Sequence, residues 1–154
     1  MVRIGLLGSG FVCDFYQQAL RYVPNHRVVV NFSQSAERAQ AFAAKWGIPD
    51  WSTDLRATIA REDVDLVVVG LPNHMHRPAC LAAAEARKAV VCTKPLGRNG
   101  REAKEILDAV RQAGVWHGYA ETEAFMPDVV RAKQAVDGGA IGRVLIVRSR
   151  EAHI

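Results

Sequence analysis

The sequence has few cysteines, no long apolar run and no cluster of charges of one sign. Its three cysteines (Cys13, Cys80 and Cys92) are an odd number without Cys-x-x-Cys spacing, which argues against a disulfide framework and favours reduced thiols in a cytoplasmic protein. No apolar run approaches the roughly 20 residues that cross a bilayer, so we expect no membrane contact. The basic residues are scattered although the net charge is +4. Nucleic-acid surfaces need such residues clustered, so we expect no nucleic-acid partner.

The N-terminal segment does not resemble a signal peptide. Its apolar stretch is short, and Gly8-Ser9-Gly10 followed by Asp14 is unlike a cleavage region. We therefore interpret Val2–Leu7 as a first buried strand.

Strand and helix patterns alternate along a chain of 154 residues, which is enough for one ordinary domain with a substantial core. The predicted strands are Val2–Leu7, Val28–Phe32, a short one at Trp51, Val64–Leu71, Ala89–Cys92 and Val115–Tyr119. The predicted helices are Phe11–Arg21, Ser35–Trp46, Asp54–Ala60, Pro78–Lys88, Gly100–Ala113 and Pro127–Val136. This alternation predicts an α/β fold, a doubly wound, mostly parallel sheet with helices on both faces.

The last residues, Arg143–Ile154, have the pattern of one more strand. A lone strand needs a sheet to join. It could extend the edge of the first sheet, but we expect it to belong to a second domain that is absent from this chain.

A glycine turn follows the first predicted strand and opens the first predicted helix. In a dinucleotide-binding turn, Gly8 would allow the tight bend and Gly10 the approach of a pyrophosphate, while Cys13 occupies the place of a third glycine. A bare Gly-x-Gly is weak evidence, since many turns are glycine-rich for steric reasons. Between a strand and a helix it favours cofactor binding, with five candidate contacts: Gly8, Ser9, Gly10, Phe11 and Val12.

The end of the second predicted strand carries no acidic residue, although NAD sites usually place one there to bind the ribose 2′-hydroxyl. A carboxylate there would repel the 2′-phosphate of NADP, so its absence permits NADP without requiring it. Ser33 could donate a hydrogen bond to this phosphate. Gln34 and Arg38 are further candidate contacts. The alternative is that Ser33 and Ser35 merely cap the following helix.

Two loops should share one crevice, because ligands of open α/β sheets bind beyond the carboxyl ends of the strands. One loop runs from Leu71 to His76 and offers Asn73 and His76 as contacts to cofactor or substrate; the other is Thr93-Lys94-Pro95. His74, His76 and Cys80 have a spacing that suggests zinc. No fourth ligand is placed to complete a site, so we expect no metal.

Lys94 is the candidate catalytic residue. It lies at the end of a buried strand, and Pro95, which is open to a cis bond, restricts its backbone. A positively charged nicotinamide nearby would disfavour the charged form of the amine, which suits acid–base chemistry. The alternative is an ordinary solvated surface lysine.

Five motifs occur in a fixed order along the chain: Gly8-Ser9-Gly10, residues 36–39 with 46–49, residues 71–76, residues 93–96 and residues 138–144. In this order the chain resembles the N-terminal domain of the Gfo/Idh/MocA oxidoreductases, which include glucose-fructose oxidoreductase and inositol dehydrogenases. The resemblance implies hydride transfer between NAD or NADP and a hydroxyl carbon, often of a sugar or polyol. It also implies cofactor contacts from the two loops: Leu71, Pro72, Asn73, His76, Thr93, Lys94 and Pro95.

The chain departs from the family pattern in three ways. Thr93 stands where the family commonly has Glu, which alters one ribose contact. Ala124 stands where an Arg is common. Family members also continue into a second α/β domain, which carries substrate contacts and usually a His and an acid for proton transfer.

The resemblance therefore implies two regions, residues 1–120 as the NAD(P)-binding domain and residues 121–154 as a connecting helix and first strand of a substrate domain. We expect an oxidoreductase whose 154-residue part is inactive alone, and a parent protein that forms homo-oligomers. The alternative is a non-catalytic dinucleotide sensor. S-adenosylmethionine binding ranks lower, because it gives the Lys-Pro strand end no role.

Overall fold

The protein is described here by a computed structural model that covers residues 1–150. It contains two compact units, the first spanning Met1–Ala120 and the second beginning at Glu121. No helix within residues 1–150 is long and apolar enough to cross a membrane.

The first unit alternates strands and helices from end to end. Its strands are β1 (Val2–Leu7), β2 (His26–Phe32), β3 (Trp51–Ser52), β4 (Leu66–Val69), β5 (Ala89–Thr93) and β6 (His117–Ala120). Its helices are α1 (Phe11–Leu20), α2 (Ala36–Trp46), α3 (Leu55–Ala60), α4 (His76–Glu85) and α5 (Gly100–Ala113). The second unit contains α6 (Pro127–Asp137), with Pro127 in its first turn.

The six strands form one sheet in the order β3-β2-β1-β4-β5-β6, and every pairing is parallel. This confirms the predicted α/β fold, with an entirely parallel sheet. The chain moves outward from β1 to β3 on one side and from β4 to β6 on the other. The strand order therefore reverses between β1 and β4, where open α/β sheets bind their ligands.

Both faces of the sheet are buried, as expected for parallel strands. On one face Leu6 and Val68 pack in a core with Cys13 of α1 and Phe42 of α2. On the other face a larger core joins the apolar side chains of the strands to α3, α4 and α5. Successive residues of β1 face opposite sides of the sheet, so Leu6 lies in one core and Leu7 in the other.

The strand predicted at Arg143–Ile154, which we expect to belong to a second domain, stays a prediction. Residues 143–150 contain no strand, and residues 151–154 lie outside the described range. A strand forms only when its backbone pairs with another strand, and within residues 1–150 no strand pairs with this segment.

Candidate cofactor-binding site

The turn from β1 to α1 has the geometry of a ligand cradle. Gly8 has a φ of +123°, and a Cβ there would lie 2.5 Å from the carbonyl oxygen of Gly70. Only glycine fits this position. Gly10, by contrast, faces open space, since a Cβ there would meet nothing within 4 Å. The backbone is therefore close-packed on one side and accessible to a ligand on the other.

A cavity of about 370 Å³ opens at this turn. Its lining includes the predicted contacts Gly8, Ser9, Gly10, Phe11, Val12, Ser33, Gln34, Arg38, Leu71 and Pro72. Ser35 and Gly70 line it as well and were not predicted. The signal for Gly70 was present in the sequence, because a glycine directly after a buried strand often marks a close approach.

Cys13 fits in the place of the third glycine because Gly70 makes room for it. The Cys13 side chain is fully buried, and its Sγ lies 3.6 Å from the carbonyl oxygen of Leu7 and 3.7 Å from that of Gly70. A Cβ on Gly70 would lie only 2.6 Å from this sulfur. Burial, reinforced by the nearby Asp14 carboxylate, raises the pKa of Cys13 to about 12, so the group is a neutral thiol.

The two serines after β2 have different roles. Ser35 caps α2, with its side chain accepting a hydrogen bond from the Arg38 N–H. Ser33 is buried and accepts a hydrogen bond of 2.9 Å from the hydroxyl of Ser9. The capping alternative therefore holds for Ser35 and not for Ser33. Among residues 1–150, none of those that line the cavity is acidic.

Thr93 does not reach the cavity. Its hydroxyl is buried and donates a hydrogen bond of 3.0 Å to the carbonyl oxygen of Val69 in the neighbouring strand. The structure thus places this hydroxyl against β4 and not in the cavity lining, and a contact between Thr93 and the cofactor stays a prediction.

Lys94 and Asn73 are both exposed and lie in the loops that follow β5 and β4. The ends of these strands are neighbours, since Val69 pairs with Cys92. The peptide bond between Lys94 and Pro95 is cis. The structure therefore brings Asn73, Lys94 and Pro95 to the same edge of the sheet but not into the lining of the cavity.

His76 is a buried connection between the two loops and not a surface contact. Its side chain has no exposed area, and its ring nitrogens lie 2.8 Å from the carbonyl oxygen of Leu71 and 2.7 Å from that of Pro95. This differs from the expectation that His76 contacts cofactor or substrate. The ring cannot reach a ligand while both nitrogens are engaged inside the protein.

A thiol pair lies beside this ring. Burial disfavours the charged imidazole, but interaction with Cys92 and the two carbonyl oxygens raises the pKa of His76 to about 9. A hydrogen bond from Cys80, reinforced by His76, lowers the pKa of the Cys92 thiol, and the same bond raises that of Cys80.

Within residues 1–150 no group of three or more His, Cys, Asp or Glu side chains is arranged to bind a metal.

The segment after Lys94-Pro95 packs against the first turn of α5 and is hydrogen-bonded to it. Asn99 caps the helix by accepting from the Glu102 N–H at 3.0 Å, and the Glu102 carboxylate accepts from the Arg98 N–H at 2.9 Å. A Cβ on Gly97 would lie 2.7 Å from the Ala103 nitrogen. The Arg98 guanidinium lowers the pKa of Glu102 to about 2.

A glycine turn that opens into a cavity where the strand order reverses defines the nucleotide-binding class of parallel α/β proteins. The family described as "Oxidoreductase family, NAD-binding Rossmann fold" matches residues 2–120. The chain belongs to this family, the Gfo/Idh/MocA oxidoreductases.

Two relatives illustrate the similarity in sequence. Levoglucosan dehydrogenase of Pseudarthrobacter phenanthrenivorans is 33% identical over 96% of this chain and 40% of its own length. The scyllo-inositol 2-dehydrogenase (NADP(+)) of Bacillus subtilis is 28% identical over 87% of this chain and 41% of its own length.

A solved structure shows the same similarity in fold. A levoglucosan dehydrogenase in complex with NADH and levoglucosan superposes with a TM-score of 0.87 at 33% identity, over 94% of this chain and 41% of that one. The chain therefore spans less than half the length of these relatives.

Proposed function

We propose that this chain is the cofactor-binding part of an NAD(P)-dependent dehydrogenase acting on a hydroxyl carbon of a sugar, polyol or related small molecule. The observation that carries the proposal is the glycine turn, tightly packed at Gly8 and open at Gly10, at the mouth of a 370 Å³ cavity. Helix N-termini and glycine turns of this kind bind the pyrophosphate of dinucleotides through backbone N–H groups.

The region 1–120 would hold the cofactor with the residues that line the cavity. Ser9, Gly10 and the start of α1 would face the pyrophosphate, and Leu71 and Pro72 would border the path toward the nicotinamide. When bound, NAD(P) would supply the acceptor or donor of a hydride. Residues from 121 onward would connect this region to the rest of the longer protein.

We further propose that the site accepts NADP. Ser33 uses its oxygen to accept from Ser9, so its own hydroxyl hydrogen remains able to bind a 2′-phosphate. Arg38 lines the same cavity and adds positive charge, while the described part of the chain places no acidic side chain in the lining. A relative whose name includes NADP(+) is consistent with this choice.

Lys94 would handle the proton of the substrate. Oxidation of an alcohol releases a hydroxyl proton, and an amine at the end of β5 can accept it; in the reverse direction the ammonium returns the proton to the carbonyl oxygen. Lys94 is exposed at the strand edge, where a substrate could approach from solvent. His76 would act on this loop only through the Pro95 carbonyl.

The substrate class follows from the relatives, whose names include levoglucosan and scyllo-inositol. Since they are more than twice as long as this chain, we expect the 154 residues to bind cofactor without turnover.

A non-catalytic sensor is the second candidate, favoured by Thr93, whose hydroxyl is committed to Val69. The two are distinguished by whether the longer protein oxidises polyols.

Calorimetric titration of the chain with NAD, NADH, NADP and NADPH tests the proposal. We expect binding at micromolar to millimolar strength, with the 2′-phosphorylated forms at least as tight as the others. Failure of all four to bind would contradict the proposed cofactor site.

A further inference from the structure

A buried asparagine lies directly beneath the glycine turn. Asn31 is the last residue but one of β2, pairs with Leu6 of β1, and has no exposed area. Its neighbours in the strand, Val28, Val29, Val30 and Phe32, are all buried and apolar. A carboxamide in such a row is an exception to the pattern of a parallel strand, and such exceptions are expected where a function needs them.

The Asn31 side-chain amide is hydrogen-bonded to the backbone of the glycine turn. Its Nδ2 donates to the carbonyl oxygen of Leu6 at 3.1 Å and to that of Gly8 at 2.6 Å. The Gly8 N–H in turn donates to the carbonyl oxygen of Phe32 at 2.8 Å. Both polar groups of the Gly8 backbone are therefore bound to β2.

Fixing the Gly8 carbonyl also fixes the direction of the next N–H. A trans peptide is planar, and its C=O and N–H point in opposite directions. With the Gly8 oxygen held toward Asn31, the Ser9 N–H points away from it, and Ser9 lines the cavity. A backbone N–H aimed in this way is a donor for an anionic group.

The arrangement costs stability. The Asn31 Oδ1 is buried and has no hydrogen-bond partner among the described residues. A buried acceptor without a partner is unfavourable, and valine would suit this strand position better. The asparagine therefore has an unfavourable environment that its two donated hydrogen bonds must offset.

We infer that Asn31 is a positioning residue of the cofactor site, which orients the Gly8–Ser9 peptide so that the Ser9 N–H can bind a phosphate oxygen. This rests on the proposed function and deepens it. Asn31 touches no ligand itself and acts through Gly8.

The test compares two probes on three proteins. NADP contains the pyrophosphate, whereas adenosine 2′-monophosphate shares its adenosine end and lacks the pyrophosphate. The proteins are the wild-type chain, Asn31→Val, and the control Val30→Ala, which shortens an equally buried side chain of the same strand. Dissociation constants and melting temperatures are measured for each.

For Asn31→Val we expect NADP affinity reduced at least tenfold and affinity for adenosine 2′-monophosphate within twofold of wild type. For Val30→Ala we expect a lower melting temperature and no selective loss of NADP. Equal losses with both probes in Asn31→Val, or no loss with either, would overturn the inference. Wild-type chain that binds neither NADP nor NAD would contradict the proposed function itself, and this result precedes any comparison of variants.

A second measurement needs no variant. In amide NMR spectra of the wild-type chain, NADP should shift the Ser9 N–H resonance further than adenosine 2′-monophosphate does, because only NADP brings a pyrophosphate to this N–H. A Ser9 resonance that does not move when NADP saturates the protein would overturn the inference even if Asn31→Val failed to fold.

Discussion

The Nδ1 of His76 lies 2.7 Å from the carbonyl oxygen of Pro95, while the other ring nitrogen reaches the carbonyl oxygen of Leu71. One buried ring thereby joins the loops after β4 and β5. Leu71 lines the cavity and Pro95 follows Lys94. The two halves of the proposed active site are thus held together from inside the protein.

His76→Leu should therefore destabilise the chain by about 3 kcal/mol, because two buried carbonyl oxygens lose their partner. Dinucleotide affinity should fall as well, since Leu71 lines the cavity and its carbonyl oxygen loses the hydrogen bond from the ring. Chemical denaturation and calorimetric titration measure the two effects. His74→Ala, at an exposed position in the same loop, is the control and should change neither. A fully stable His76→Leu variant would contradict the proposed role of the ring.

Gly70→Ala should destabilise the fold by about 2 kcal/mol, because the new Cβ would lie 2.6 Å from the Cys13 sulfur. Apart from that sulfur, the nearest atoms to this Cβ lie at 3.5 Å and 3.6 Å, which are ordinary contacts. Adding Cys13→Ala should then remove most of the penalty in a double-mutant cycle measured by denaturation.

Gly8→Ala supplies the contrast for this cycle. Its Cβ would lie 2.5 Å from a backbone oxygen, and its φ is +123°. Adding Cys13→Ala to Gly8→Ala should therefore leave most of the destabilisation by Gly8→Ala in place. Equal rescue of both glycine variants would show that the Cys13 contact is not the cause.

Glu102 should make stability depend on pH in acid. Arg98 lowers the pKa of Glu102 in the folded state from 4.5 to about 2. The stability that the ionised carboxylate adds to the fold is therefore fully present above pH 4.5 and is lost as the pH falls toward 2. Denaturation of Glu102→Gln at several pH values should show a flatter profile in this interval. Glu62→Gln, at an exposed position outside α5, should retain the wild-type slope. The interpretation fails if both variants retain it.

Ser33→Asp should change the cofactor preference from NADP toward NAD. A carboxylate at this point would repel a 2′-phosphate and accept from a free 2′-hydroxyl. We expect NADP affinity to fall at least tenfold and NAD affinity to hold or rise in calorimetric titrations. Ser33→Ala removes the hydroxyl without adding charge, so it should weaken NADP only modestly. Unchanged NADP binding by Ser33→Asp would place the 2′-phosphate elsewhere.

Lys94→Met should slow turnover by about 100-fold or more in the longer protein that we propose, since the proton would lose its acceptor. Steady-state kinetics with a polyol and NADP measure this effect. Binding of NADP by the same variant should persist, because the glycine turn is unchanged. A variant that kept full activity would favour the sensor alternative.

The alternation of buried strands and amphipathic segments was enough to predict the parallel sheet, because local periodicity reports which faces are buried. The Gly8-Ser9-Gly10 turn and the missing acid after β2 could also be recognised in the sequence, since each depends on residue types at short spacing. The strand predicted from residue 143 onward stays a prediction, because local periodicity alone does not form a strand. Pairing depends on a partner strand, and residues 143–150 have none within the described chain.

Three features of the candidate site were decided only by the tertiary structure. Cys13 replaces a glycine because Gly70, 57 residues away, leaves room for its sulfur. His76 has the pattern of a ligand contact, yet it is buried by carbonyl oxygens 5 and 19 residues distant. Asn31 acquires its role from the Gly8 carbonyl across the strand pair. Each depends on distances between segments far apart in the chain, which a local pattern of residue types does not contain.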